Sequence, residues 1–339
     1  MLSVIIPTLG RAESLARLLR ALGSQTLRDL EIIVVDQNPP GFLGARLPRQ
    51  LLMQARQIQM KEQNVSAARN VGFLSSSGSL ILFLDDDMVP DPGFCAKGAA
   101  ILSTHEEVKC LCALVYEDSA ELDAIRAVGP ADVTWSSRAL GLSQRGLPSW
   151  YQKRNMTGRR IPGTEIYGIK DYRSGATFFT RSFFVRSGGF DEMLFRYAGT
   201  AEDQELFTRM RYRGMQMWFA RDLTVFHDES QPGGCGLRTV DYWVTREKCV
   251  KSWAYRHRIH NKAIGRIGVR GMLSLMRSAF LNSSLLRSSL RNTLRQIALL
   301  RMAVEDSRQY LEPYIASYKS VRSVDHLNFS IADDGRQDE

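Results

Sequence analysis

Apolar runs and helical stripes alternate through the first third of the chain. Ser3–Pro7 (SVIIP) is a short apolar run of the kind that makes a buried strand. Within Ser14–Leu22, Leu15, Leu18, Leu19 and Leu22 recur at helical spacing. LEIIVVD (30–36) predicts a second strand, RQIQM (56–60) a third, residues 65–75 a helix, and SLILFLD (79–85) a further strand. Strand, helix, strand, helix implies an α/β, doubly wound, mostly parallel sheet with helices on both faces. VKCLCALVY (108–116) extends the pattern, which then weakens into a long irregular stretch over 129–173. Order returns with SGATFFT (174–180), GGFDE (188–192), a helix from Glu202 to about Arg213, and two strands, MQMWFA and LTVFHD, ending at Asp228. Residues 237–305 read as mainly helical, and the chain from Val321 as a loose tail. The organisation expected is a first domain over 1–230, a basic helical region over 231–320, and a disordered tail over 321–339.

In parallel sheets ligands sit beyond the carboxyl ends of the strands. Asp36 falls there, and so do Asp85, Asp86 and Asp87, into which Ile81, Leu82, Phe83 and Leu84 run directly. Three adjacent carboxylates repel one another, so they are either a solvated surface turn or a site that holds a cation. The turn after the first strand reads PTLGRAES, with a single glycine, which excludes the glycine-rich dinucleotide fingerprint. A Walker-type phosphate loop is absent too. A bound phosphate would therefore need a metal or basic side chains. Asp85 and Asp87 supply hard oxygen donors of the kind that Mg²⁺ and Mn²⁺ take together with substrate phosphates. Asp86, between them, is expected to point away, because alternate residues of an extended chain face opposite sides.

Composition adds two constraints. At 339 residues, 44% hydrophobic and 24% charged, the chain has the balance of a globular protein large enough for one α/β domain and an appendage. No apolar run reaches the ~18–20 residues of a membrane span, and MLSVIIPT lacks the basic front of a secretory signal. The expected location is cytoplasmic. Cys95, Cys110, Cys112, Cys235 and Cys249 are odd in number and lack zinc-site spacing, as suits free thiols in a reducing compartment.

The net charge of +9 is concentrated. Residues 245–304 carry thirteen Lys and Arg against one acid, Glu247, and leave the rest of the chain slightly acidic. From Gly271 to Ala303 apolar residues recur near helical spacing with Arg between them. Such a helix either packs its apolar face on the body of the protein or meets an acidic membrane surface. Nucleic acid is not expected as a partner: no zinc finger, RRM-type motif or clear helix-turn-helix is present.

Taken in order, PTLGR, VVD, NVSAARNVGFLSSSGSLILFLDDD, GGFDE, AEDQEL and a later strand ending in His resemble the family 2 glycosyltransferases with the GT-A fold. The resemblance runs from about Met1 to Asp228. It implies a nucleotide-binding half over 1–116 and an acceptor half over 117–230. It implies inverting, metal-dependent transfer of a sugar from a nucleotide-diphosphate sugar to a hydroxyl of a saccharide or lipid-linked saccharide, in cell-surface polysaccharide synthesis. Carried over by position, Pro7 and Thr8 shape the nucleotide pocket and Asp36 contacts the base. Arg69 and Asn70 look like a nucleotide-side contact, and a cation beside the diphosphate suits bidentate Arg on chemical grounds as well. Asp85 and Asp86 belong to the nucleotide-sugar site, and Asp85, Asp87 and His227 to a site for Mn²⁺ or Mg²⁺. Asp203 matches the usual catalytic base, since a carboxylate within reach can take the acceptor hydroxyl proton. Glu202, Gly189 and Trp150 fall on the acceptor side, where Trp150 either stacks on a sugar or is a buried anchor.

The family commonly continues Asp36 with a second Asp and Gly-Ser, whereas this chain reads Gln37-Asn38-Pro39. That departure resembles rhamnosyltransferase-like, exopolysaccharide-type members and leaves UDP, GDP and dTDP donors open. The resemblance also places many members at the inner face of the cytoplasmic membrane, working on lipid carriers. Two other readings stand beside it: a non-catalytic sugar-nucleotide-binding protein, and a sugar nucleotidyltransferase, which would need a basic Gly-rich first loop that is missing here.

Overall fold

The computed structural model describes residues 1–117, 156–170 and 175–228, together with Ser119, Leu122 and Asp123. Trp150, the basic segment 245–304, the expected helices of 237–305 and the tail lie outside the described residues. Chain contacts divide the protein into two units, and every described strand belongs to the first, Met1–Arg196 with Ala201–Arg238.

The first strand, β1 (Leu2–Thr8), is buried at all seven positions, so its unbroken apolar run reflects cover on both faces. Helix α1 (Ala12–Gly23) buries Leu15, Leu18, Leu19 and Leu22, the stripe read from the sequence. β2 (Leu30–Asp36), the short α2 (Arg49–Leu52), β3 (Arg56–Gln59), α3 (Val65–Leu74) and β4 (Leu80–Leu84) complete the predicted alternation. Then come β5 (Met88–Pro90), α4 (Phe94–Thr104), β6 (Cys110–Tyr116), β7 (Met156–Arg160) and β8 (Ile166–Ile169). The chain continues with β9 (Ala176–Thr180), α5 (Arg181–Ser187), α6 (Glu192–Ala198), α7 (Glu202–Tyr212) and β10 (Met217–His227).

The strands form one ten-stranded sheet among the described residues, in the order β3-β2-β1-β4-β9-β6-β10-β8-β7, with β5 paired to β10. β3, β2, β1 and β4 are parallel neighbours. β9 enters antiparallel between β4 and β6, and β10 runs parallel to β6. The sheet is thus mixed and mostly parallel, the GT-A arrangement expected.

Two differences from the sequence reading have local causes. The strands expected at 215–220 and 223–228 are one strand, β10, whose pairing with β6 shifts register between Ala220 and Thr224. Pairing with β8 on one side and β5 further along carries the chain past the polar Arg221 and Asp222. The stretch expected to be irregular over 129–173 contains the hairpin β7–β8, whose first strand is mostly exposed and so shows no apolar alternation.

Helices approach the sheet closely where glycine faces it. A Cβ on Gly72 of α3 would lie 2.4 Å from Ile5 Cγ2, and one on Gly98 of α4 would lie 2.4 Å from the Phe178 ring. Phe83, Phe179, Phe184 and Phe190 pack as a ring cluster, with the Phe83 and Phe190 centroids 5.0 Å apart. Cys95, Cys110 and Cys112 are buried free thiols. Among the described residues no helix is long and apolar enough to cross a membrane.

Candidate active site

Because β1, β2 and β4 run parallel in adjacent positions, their carboxyl ends bring Thr8, Asp36 and Asp85 to one edge. Thr8 stands level with Asp36, and Gln37 N donates to the Thr8 carbonyl at 3.0 Å. Pro7 is one step further back, buried in β1 opposite Val35. Asp36 keeps local partners: Asn38 donates to its Oδ1 from both the backbone N (2.9 Å) and the side-chain Nδ2 (2.6 Å). Asn38 Oδ1 in turn accepts from Gly10 N at 2.6 Å, tying the β1–α1 loop to the end of β2. Gln37 Oε1 accepts from Asn64 N, at the cap of α3. The departure at Gln37-Asn38 thus builds its own hydrogen-bonded lattice at that end of the sheet.

The aspartate run is a cluster of carboxylates held by two arginines. Met88 N donates to the Asp85 carbonyl at 3.1 Å, so residues 85–88 form a turn. A turn cancels the two-residue alternation, and Asp86 does not face away from Asp87. Both carboxylates meet the Arg11 guanidinium: Nη1 lies 3.0 Å from Asp86 Oδ1 and 2.5 Å from Asp87 Oδ2. Thr8 Oγ1 donates to the other oxygen of Asp86 at 2.7 Å. Asp85 goes elsewhere, to Arg69 Nη2 at 2.7 Å. Arg11 enters the sequence reading only as part of PTLGR; its one local signal is a cation directly ahead of α1, and its contact with acids 75 and 76 positions away is tertiary.

Charge follows from this division. Burial, and then the charge of Asp87, push Asp86 up to about 7 against the opposing pull of Arg11 and the Thr8 hydroxyl. Burial would also raise Asp87, but hydrogen bonding to His227 and the charge of Arg11 bring it below the usual carboxylate range. Asp85 is raised by burial despite Arg69. Burial by itself would lower Arg11, and the Asp86 and Asp87 charges more than offset it.

β10 delivers His227. Its antiparallel pairing sets His227 against Met88, next to the turn, and Asp228 N donates to the Asp87 carbonyl at 2.8 Å. His227 Nε2 lies 3.2 Å from Asp87 Oδ2, and its Nδ1 3.7 Å from Glu117 Oε1. Arg17 Nε pairs with Asp228 at 2.5 Å, joining α1 to the end of β10.

Among the described residues no group of three His, Cys, Asp or Glu side chains is placed to hold a metal by itself. One carboxylate and one imidazole facing each other do fit a divalent ion that takes its remaining ligands from phosphate and water. Asp87 and His227 are that pair. Asp85 pairs with Arg69, and its carboxylate still feels the charge of Asp87.

The other side of the cleft comes from α7. Glu202 and Asp203 occupy its first turn, where negative charge complements the helix N-terminus. Asp203 Oδ1 accepts from Gln204 N at 2.7 Å. Glu202 Oε1 accepts from Arg69 Nη1 at 2.8 Å. Ahead of them Ala201 sits in the left-handed region (φ 69°, ψ 26°). Behind them, Arg209 pairs with Glu205 at 2.6 Å and donates to the carbonyls of Ser187 (2.5 Å) and Gly189 (2.8 Å), so Gly189 enters as a backbone support under α7. Arg69, Asp85 and Asp203 line one cleft, backed by Phe83, Phe179, Phe190 and Phe207.

The sequence profile described as Glycosyl transferase family 2 matches residues 3–175, just over half of the chain. Curated relatives include the chondroitin synthase of Escherichia coli, 22% identical over 97% of this chain and 51% of that protein. A glycosyltransferase of Haemophilus influenzae is 27% identical over 51% of this chain and 60% of its own length. The chain therefore spans about half to three fifths of the length of these two relatives. Among solved structures, S. aureus TarS 1–349 in complex with UDP-GlcNAc superposes with a TM-score of 0.52 at 15% identity, covering 93% of this chain and 83% of that one. The Pyrobaculum calidifontis mannosyltransferase PcManGT, in complex with GDP-Man and Mn²⁺, gives 0.51 at 15% identity over 94% and 78%.

Proposed function

Because the chain belongs to glycosyl transferase family 2, we propose that it is an inverting, divalent-metal-dependent transferase. It moves one sugar from a nucleotide-diphosphate donor to a hydroxyl of a saccharide or lipid-linked saccharide in cell-surface polysaccharide synthesis. One observation carries this reading: a helix-borne carboxylate, Asp203, lines the same pocket as Asp85 at the strand ends, and Asp85 is two residues before Asp87, which faces His227. Such a transfer needs a base and groups for a diphosphate within one site, the roles proposed here for Asp203 and for the strand-end acids.

In the proposed reaction, Asp203 accepts the proton of the acceptor hydroxyl as its oxygen bonds to the anomeric carbon. The bond from that carbon to the diphosphate oxygen breaks on the opposite face, and no covalent enzyme intermediate forms. Bound Mn²⁺ or Mg²⁺, held by Asp87 and His227, would offset the charge on the leaving diphosphate. His227 and Arg11 keep Asp87 ionised, and Arg11 holds it in place. Thr8, Asp36 and Asp86 form the donor end, with UDP, GDP and dTDP as candidates. The two neighbours above were solved with a UDP-sugar and a GDP-sugar, which supports a nucleotide-sugar donor and leaves the base open. The catalytic domain is assigned to 1–230, followed by the basic region 231–320, whose segment 245–304 would hold the protein peripherally at an acidic inner membrane face.

Isothermal titration of UDP, GDP and dTDP, each with and without Mn²⁺, tests the reading. One nucleotide is expected to bind in a Mn²⁺-dependent way, with Asp87→Ala weakening it at least tenfold. Asp203→Asn is expected to keep that affinity within about threefold and to lose transfer by ~10²–10⁴-fold, the usual contribution of a general base. Failure of all three nucleotides to bind a folded wild-type protein would refute the proposal. Retained transfer in Asp203→Asn would remove Asp203 as the base.

A further inference from the structure

Arg69 offers more than a contact for the donor. Its side chain is 4% exposed, and each terminal nitrogen is already taken: Nη2 by Asp85 at 2.7 Å and Nη1 by Glu202 at 2.8 Å. Its Cζ lies 5.0 Å from the Phe190 ring centroid. Its Nε is buried without a hydrogen-bond partner among the described residues. The guanidinium is therefore oriented by the two carboxylates, even where that leaves a third donor unused. A fork of this kind joins two carboxylates in a fixed geometry, which the single ammonium of Lys cannot copy.

The two partners come from different elements. Asp85 follows β4 at the donor end, and Glu202 opens α7 directly before Asp203. Neighbouring Asn70 extends the join: its Oδ1 accepts from Phe190 N at 3.0 Å, and its Nδ2 donates to the Phe190 carbonyl and to Glu192 Oε1, both at 2.9 Å. Consecutive residues of α3 thus grip both the α5–α6 connection and α7. On the α7 side the backbone is held in an unfavourable form at Ala201, immediately before Glu202. A non-glycine residue stays left-handed only where its surroundings over-determine it. The Arg69–Glu202 pair is one such constraint.

Resting on the transferase reading above, we propose that Arg69 is a positioning residue and not a nucleotide contact: it ties the donor-side carboxylate Asp85 to Glu202 and so sets where Asp203 stands. The triad holds one cation between two acids. When a donor complex brings positive charge or hydroxyl donors to Asp85, that carboxylate needs Arg69 less, and the guanidinium commits to Glu202. Donor binding then firms the first turn of α7 before the acceptor arrives.

Hydrogen exchange in the peptide covering Ala201–Thr208 reads this coupling directly, with UDP, GDP or dTDP plus Mn²⁺ as the probe. In the wild type the nucleotide that binds is expected to slow exchange there at least fivefold. Glu202→Gln leaves Arg69 paired with Asp85 and is the variant expected to fold normally. It should bind the same nucleotide within threefold by titration and show less than a 1.5-fold change in exchange. Arg69→Lys should behave likewise, and Arg69→Met with Glu202→Gln combined should be no worse than Arg69→Met alone, since both break one link. Loss of nucleotide affinity by tenfold or more in Arg69→Lys, with Glu202→Gln unaffected, would make Arg69 a nucleotide contact and overturn the proposal. Wild-type binding without any change in exchange would overturn the coupling and leave the transferase reading intact. No nucleotide binding in folded wild type would remove both.

Discussion

At Ala201 the backbone adopts a conformation that costs an L-residue with a Cβ roughly 1–2 kcal/mol. It is also the cap of α7 and offers no side-chain acceptor to the first turn. Ala201→Gly removes the steric cost, and Gly is the better cap, while the freer unfolded chain takes back part of the gain. The expected outcome is a rise in unfolding free energy of about 0.5–1 kcal/mol, read from the urea midpoint. Ala201→Val, β-branched at the same angles, should lower it. The aspartate run shows how far single residues could be read in advance. Asp85–Asp87 stand out because three adjacent carboxylates end an apolar strand at the edge where parallel sheets bind ligands. Their division between Arg11 and Arg69 could not be read, because it depends on a turn and on two cations 16 and 76 positions away in sequence.

Among elements, α4 is the instructive omission from the sequence reading. Its inward positions are Phe94, Cys95, Gly98 and Leu102, and the glycine leaves a gap in the apolar stripe that a periodicity count passes over. That gap is what lets the helix lie against Phe178 of β9. Gly98→Ala places a methyl 2.4 Å from the ring, a clash that the largely rigid ring cannot relieve as a flexible chain would. Overpacking of this sort costs about 1–3 kcal/mol, which exceeds the ~1 kcal/mol that Ala gains over Gly in a helix interior. Gly98→Ala should therefore unfold at lower urea concentration than wild type with an unchanged slope. The well-read elements, β1, α1, β2 and β4, are those whose pattern is uninterrupted and whose cover is complete.

For the whole molecule, a ligand that binds only the folded state stabilises it by mass action. At a nucleotide concentration of 100 Kd the gain is about 2.7 kcal/mol. For a domain of this size that raises Tm by roughly 5–10 °C. A thermal-shift measurement with the matching nucleoside diphosphate and Mn²⁺ should show that rise, and excess chelator or Asp87→Ala should abolish most of it. A shift that survives both would separate nucleotide binding from the metal.

What the sequence by itself determined is local: which segments are buried strands, which helix face is apolar, and that acids stand where strands end and where α7 begins. Those features are written within about five to twelve consecutive residues, the reach of strand and helix periodicity. The order β3-β2-β1-β4-β9-β6-β10, with β9 reversed between β4 and β6, is not written at that range. The family resemblance had already grouped Asp87 with His227, 140 positions away; only the tertiary structure decided that Arg11 would close on Asp86 and Asp87 and that Arg69 would join Asp85 to Glu202. Each of these pairs is made by strands and helices meeting across the sheet, where separation along the chain no longer measures distance.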